Sequence, residues 1–305
     1  MIVVATPTEL TWRERAALPL PRAGYVAGVI NGRYIVAGGS YWENNQRHWT
    51  SRVDEFDPRT NAWSQSVSLP EARSDAACVM VRDTLYVFGG GAHGHARSDA
   101  LALRAGEWEA VPHAALPEPR LYASAVAFDG QVYVVAGLSK PGDYASARNT
   151  FWKLTVGSAR KGWESLPPLP GPGLVNAAVT VVGQRIYVFG GAHAGGANVV
   201  NSNKAYVFDC KTERWESLPD LPVSRRCWSA VPLRGKVLLI GGYTDSCHKD
   251  VLTYDLRAHT LDPAGDLPQG TCDAKFFRLG NSIIGAGGEV ADGIRGEGTY
   301  QARLH

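Results

Sequence analysis

The chain has 305 residues, among them 34 Gly, 18 Pro and 9 Trp, a composition that favours many short turns between aromatic-packed strands and excludes a long helical bundle. Lys plus Arg number 31 and Asp plus Glu 29, a formal net charge of +2, so there is no general electrostatic drive toward nucleic acid or an anionic membrane surface. No apolar run approaches the roughly 18 residues that a membrane-spanning helix needs.

From the N-terminus, Met1–Thr8 offers no basic leader and only a short apolar run, which predicts a cytoplasmic location, or a periplasmic one had a leader been removed. LTWRERAALP (10–19) then reads as an outermost strand with no partner strands before it. After it one pattern recurs six times. An alternating segment, a polar turn and a β-branched or aromatic run end in glycine: RYIVAGG at Gly39, TLYVFGG at Gly90, QVYVVAG at Gly137, RIYVFGG at Gly191, KVLLIGG at Gly242 and SIIGAGG at Gly288. Both segments read as strands joined by a tight hairpin. A variable loop follows, then a third strand (RVDEFDP, ALALRAG, FWKLTVG, AYVFDCK, VLTYDLR) and a turn into a strand bearing Trp63, Trp108, Trp163 or Trp215, with Leu261 in the degenerate copy. Each repeat of about fifty residues is thus a four-stranded antiparallel unit whose two apolar faces need neighbours. The last segment, GTYQARLH, is a third strand without a fourth. Pairing it with the first strand would close a ring and leave no seam.

The glycine pairs lack the G-x-G-x-x-G spacing and recur across the repeats, with Ala136-Gly137 in the third, so they read as positions of positive φ or close backbone approach rather than phosphate loops. The Trp residues read as packing between units. Gly-Gly after an apolar strand, a Tyr/Phe-Asp-Pro-like turn and then Trp, recurring together, resemble the kelch repeat. The resemblance implies an all-β, six-bladed kelch β-propeller forming a single domain over residues 1–305.

Two to three residues after each Leu-Pro, on the loop into the innermost strand, lie Arg22, Arg73, Arg120 and Arg225, with Gly173 and Thr271 in the other two repeats. Two readings stand side by side: arginines bonding neighbouring loop carbonyls, or convergent guanidinium groups binding a carboxylate at one mouth of the central channel. The loops after each glycine pair should share that mouth, and they differ widely in length and chemistry, as loops carrying specificity do. They place Trp42, Trp49, Tyr144, Trp228 and Tyr243 in or beside the mouth. The five cysteines, Cys78, Cys210, Cys227, Cys247 and Cys272, are irregularly spaced without a CxxC and read as reduced thiols. His93, His95, His193 and His248 are scattered without zinc spacing, so neither a metal nor another cofactor is expected.

In the last repeat the glycine pair runs into Glu289-Val290-Ala291-Asp292-Gly293-Ile294-Arg295. This loop resembles the G-E-x-x-P-G-x-R loop of the bacterial N-acetylneuraminate epimerases (sialic acid mutarotases), six-bladed kelch propellers, and the opening stretch GYVAGVINGRYIVAGG resembles their circularly permuted branch. The family's proline is Asp292 here, and its following Thr-Asp is Gly296-Glu297. The resemblance implies an isomerase that interconverts anomers of an acidic sugar such as N-acetylneuraminate. Glu289 and Arg295 would be the catalytic residues, and the rim arginines Arg22, Arg73, Arg120 and Arg225 would bind substrate. A carboxylate suits the base of such a reaction. Arg295, always charged, would act electrostatically, and His93, His193 or water would be the acid. The alternative is a non-catalytic kelch interaction module binding an acidic peptide or a carbohydrate, which makes a protein the partner. Glycoside hydrolysis needs a second carboxyl group opposite Glu289; Asp245, Asp273 and Glu297 are available.

Overall fold

In the computed structural model, residues 10–157, 162–196 and 198–304 are described; the leader reading at Met1–Thr8 lies outside them, as does Ala197 of the fourth mouth loop. Six four-stranded antiparallel sheets follow one another along the chain. Blade one comprises Val26–Ile30, Arg33–Ala37, Val53–Asp57 and Ala62–Gln65. Blades two to five begin at Ala77, Ser124, Ala178 and Ser229. Blade six joins Lys275–Leu279, Ser282–Ala286 and Thr299–Arg303 to Trp12–Arg15. The innermost strands touch in the cycle one to six and back to one, so this is a six-bladed β-propeller.

The closure expected from the termini is present. Trp12 lies opposite Ala302 and Arg15 opposite Thr299, and Leu10 N–H continues into blade five through the Ala264 carbonyl at 2.9 Å. The inner hairpins form where the backbone can turn left-handed: Asn31-Gly32 has φ of 51° and 74° and Asp129-Gly130 has 49° and 72°, the conformation that matches strand twist in a two-residue turn. The second strand of each blade is covered on both faces, as at Thr84–Phe88, where every residue is buried.

The recurrent glycine and tryptophan then have defined tasks. The amide of the second glycine donates to a carbonyl in the loop into the next blade: Gly39 to Arg73, Gly90 to Arg120, Gly137 to Leu174, Gly191 to Arg225, Gly242 to Thr271 and Gly288 to Arg22, at 2.7 to 3.0 Å. The first glycine is held by positive φ and by crowding. At Gly38 φ is +68°, and a Cβ would lie 2.3 Å from the Arg73 carbonyl oxygen, which no side chain tolerates. Four indole N–H groups hold the loop that follows the preceding blade: Trp63 donates to Ala16 O, Trp108 to Val67 O, Trp163 to Ala114 O and Trp215 to Pro167 O, at 2.8 to 3.0 Å.

Candidate functional site

The four expected substrate arginines do not line the mouth. Arg22, Arg73, Arg120 and Arg225 are among the most buried polar side chains of the described residues. Each ties the end of its blade's second strand to the start of the third, or reinforces the loop between. Arg22 donates to the Val36 carbonyl at 3.0 Å and pairs with Asp54 at 2.8 Å, both partners fully buried. Arg73 donates to Gly89 O at 2.9 Å and to Asp99 at 2.6 Å. Arg225 donates to Gly241 O at 3.0 Å and grips both Asp250 oxygens. Arg120 bonds Thr150 Oγ1 and Glu118, with its guanidinium 4.7 Å above the Trp152 ring. Thr271 does the same task in blade six, its hydroxyl donating to Gly287 O at 2.9 Å. The matching residue of blade four is Leu174 rather than Gly173, since Leu174 O receives the Gly137 amide. Burial lowers the pKa of Arg22 and Arg120, with Asp54 and Glu118 opposing that shift. The physical reason for the correction is that a guanidinium with several donors satisfies the carbonyls left at a blade corner, where an open rim position would leave them buried and unpaired.

The mouth is built from the residues just after these arginines. The next residue of each blade forms a short bridge to the residue following the glycine pair: Ala23 to Ser40, Ser74 to Gly91, Leu121 to Leu138, Val175 to Ala192, Arg226 to Tyr243 and Cys272 to Glu289. One position further on, Gly24, Asp75, Tyr122, Asn176, Cys227 and Asp273 all have φ between 52° and 66°. Their backbones form a circle of hydrogen bonds. Asp75 N–H donates to Gly24 O, Tyr122 to Asp75 O, Asn176 to Tyr122 O, Cys227 to Asn176 O and Asp273 to Cys227 O, at 2.7 to 3.1 Å. The last link is closed differently: Gly24 N–H donates to the Asp273 carboxylate at 2.6 Å. These six residues line both an outer cavity of about 290 Å³ and an axial cavity of about 400 Å³ below it, so they form the neck between the two.

Four of the loops after the glycine pairs carry two-stranded pairings, Ser40–Glu43 with Gln46–Trp49, Gly91–Ala92 with His95–Ala96, Ala192–Gly195 with Asn198–Asn201 and Glu289–Ala291 with Ile294–Arg295, and the first and last of them line the outer cavity. The hairpin accounts for the six-residue spacing in the last loop: Asp292-Gly293 makes the turn, and Glu289 and Arg295 become cross-strand partners joined by an ion pair. Both line the outer cavity. Arg295 also reaches to the loop of the neighbouring blade one, donating to the Ser40 carbonyl at 3.3 Å.

Two further cations line this cavity that sequence reasoning missed, Arg47 and Arg226. Arg47 bonds Ser40 Oγ at 3.0 Å and approaches Asp75 at 3.4 Å. Arg226 donates to Asn201 Oδ1 at 2.5 Å and lies 4.5 Å from the Tyr243 ring centre. Burial raises the Asp75 carboxyl to about 6, with Arg47 opposing and Asp273 adding to the shift. Burial likewise works against the Lys275 charge in the axial cavity, yet Asp273, 3.8 Å away, raises that amine above its ordinary value. The signal for the neck was present in sequence: four of its six positions are Gly, Asp or Asn, the residues that tolerate left-handed backbone.

The remaining candidates separate. Trp42, Tyr144 and Tyr243 line the outer cavity. Trp228 is buried and donates to Phe189 O, a packing role, and Trp49 meets His93 at a tilted angle beside the Arg47 guanidinium. His93 and His193 are outside the cavity lining, so neither faces Glu289 as an acid. Of the spare carboxylates only Asp273 lines the cavity; Asp245 and Glu297 are exposed elsewhere. Among the described residues no three His, Cys, Asp or Glu side chains cluster as metal ligands, and no helix is long and apolar enough to cross a membrane.

Comparison with known proteins agrees with this architecture. The chain is 29% identical over 243 residues to mouse Kelch-like protein 35, covering 75% of this chain and 38% of that one. It is 25% identical over 249 residues to Kelch-like protein terF of Aspergillus terreus, covering 76% of this chain and 52% of that one. Beta-scruin of Limulus polyphemus is 22% identical over 268 residues, covering 84% of this chain and 29% of its own. The chain therefore spans between about a third and a half of these relatives. The repeat pattern, the ring of blades and a match over residues 34–290 to the Attractin/LZTR1 β-propeller model agree, and the chain belongs to that β-propeller family.

Proposed function

We propose that this chain acts as a binding module whose hairpin-lined mouth receives a carboxylate-bearing segment of a protein partner. The observation that carries this reading is Arg226. Its guanidinium borders the outer cavity, is positioned by a neutral amide and an aromatic ring, and makes no ion pair among the described residues. Of the carboxylates lining the cavity, Glu289 pairs with Arg295, Asp273 with Lys275 and Asp75 with Arg47, while Asp292 is exposed at the hairpin turn. A positioned guanidinium with an unsatisfied charge suits an incoming carboxylate. Two of the relatives named above, Kelch-like protein 35 and Kelch-like protein terF, take their names from the repeat and not from a reaction, which also favours binding.

A second reading keeps Glu289 as the base of an anomer exchange on an acidic sugar, since Glu289 and Arg295 border the same cavity. It is weakened because Arg295 already occupies the Glu289 carboxylate. Fluorescence anisotropy with acidic, neutral and basic peptides tests the first reading. Acidic peptides should bind best, more weakly as salt rises, and Arg226→Ala should reduce their affinity roughly tenfold or more. Equal binding of neutral peptides, or an unaffected Arg226→Ala, would remove it. Saturation-transfer NMR on N-acetylneuraminate tests the second: an accelerated exchange that Glu289→Gln abolishes would put catalysis in its place.

A further inference from the structure

We propose that Cys247 and Cys272 form an oxidisable dithiol at the mouth, a modification site that reacts with a hydroperoxide and closes into a disulfide between blades five and six. The two sulfur atoms lie 3.0 Å apart although the residues are 25 positions distant in the chain. Both backbones are pinned. Cys247 bridges to Tyr243 within the blade-five loop, the adjacent His248 carbonyl accepts from Thr271 N–H at 3.0 Å, and Cys272 bridges to Glu289. The thiols therefore meet through two anchored loops and need no backbone rearrangement to approach.

Their environments divide the chemistry. Cys247 is partly exposed on the rim, whereas Cys272 is 3% exposed beneath it and lines the outer cavity. The hydrogen bond with Cys272 lowers the Cys247 thiol against burial and the Glu289 charge, and the same contact raises Cys272. Cys247 is thus the thiolate that attacks and Cys272 the thiol that resolves. In the first step the Cys247 sulfur bonds to one peroxide oxygen, the O–O bond breaks and the leaving oxygen departs as water or an alcohol after protonation, giving a sulfenic acid. In the second, the Cys272 sulfur displaces that hydroxyl as water. The pair gives up two electrons and two protons, and one hydroperoxide is reduced. No sulfur–sulfur hydrogen bond reaches the other three cysteines among the described residues: Cys78 contacts the Ala27 carbonyl, Cys227 sits in the neck and Cys210 packs on blade four.

The test uses the full chain, reduced and then treated with one equivalent of hydrogen peroxide, blocked with an alkylating agent and digested without reduction. Mass spectrometry should find the peptides of Cys247 and Cys272 joined with the loss of two hydrogens. Formation should be at least roughly tenfold faster than oxidation of Cys78 or Cys210, in line with thiolate fraction and access. Dithiothreitol should reverse it. Phenylarsine oxide, which bridges two adjacent thiols, should protect the same pair from alkylation. Cys247→Ser, on the rim where it leaves the buried Cys272 packing intact, should abolish both results. The proposal is overturned if both cysteines remain alkylatable while Cys78 or Cys210 oxidises, if Cys247 links only to another chain, or if Cys247→Ser leaves arsenical protection unchanged. None of these readouts involves an added peptide ligand or a sugar, so the outcome is independent of the binding proposal.

Discussion

Asp75 illustrates how one residue can hold both a fold task and a charge task. Its backbone passes the neck circle from Gly24 to Tyr122 while its carboxyl is buried beside the cavity. Because burial raises that carboxyl from 3.8 to about 6, the folded chain keeps the proton more tightly than the unfolded one. The favourable contribution is complete below the unfolded value and is lost as pH rises through the folded value. Stability from this group should therefore fall between about pH 4 and about pH 6 and then level off. Asp75→Asn should remove that slope and stabilise the protein near pH 8 by on the order of 2 kcal/mol. Urea unfolding at a series of pH values checks this, and a variant with the parental slope would show that the carboxyl is solvated.

At the scale of the element, the blade-five corner separates two kinds of arginine. Arg225 turns into the corner to hold Gly241 O and Asp250, and the next residue, Arg226, turns out to the cavity. Successive side chains of extended backbone point to opposite sides, so adjacent positions take unrelated tasks. The fully buried pair Arg22–Asp54 is the sharpest case. Arg22→Met should cost about 3 kcal/mol, because it leaves a buried carboxylate and the Val36 carbonyl without this donor. Arg226→Ala should change stability by less than about 1 kcal/mol. Chemical denaturation of the two variants side by side distinguishes a corner clamp from a rim group, and equal stabilities would contradict the assignment. The Glu289–Arg295 hairpin follows the same logic: its fixed spacing is what a two-strand turn requires of a cross-strand ion pair, with or without chemistry.

For the whole molecule, stability rests on the ring being closed by noncontiguous chain. Trp12–Arg15 covers the edge of Thr299–Arg303, and Leu10, Trp12 and Leu18 are buried against blades five, six and one. Trp12 meets Phe276 edge to face at 5.5 Å. Removing residues 1–17 would expose an unpaired strand edge and the apolar side chains beneath it. At roughly 1.5 to 3 kcal/mol for each large apolar side chain lost from the core, the melting temperature should fall by roughly 10 °C. A calorimetric scan of the truncated chain checks this, and a melting temperature equal to that of the full chain would mean that the ring closes without the first strand.

The propeller was legible because it is a repeat. Five glycine pairs, the matching Ala136-Gly137 and the tryptophans recur in register, and each reflects a local need: left-handed backbone at the pair, and a large ring over the neighbouring blade. The unpaired strands at the two ends likewise implied closure. The mouth was only partly legible. Glu289 and Arg295 could be placed there from their position after the last glycine pair, but the arginines expected beside them belong to the blade corners, and the cations that do line the cavity are Arg47 and Arg226. Local sequence records which residues lie near a corner and cannot record which side of the chain faces the axis. That side is set when six blades close and their twist turns alternate residues toward the hub, bringing together loops more than two hundred positions apart.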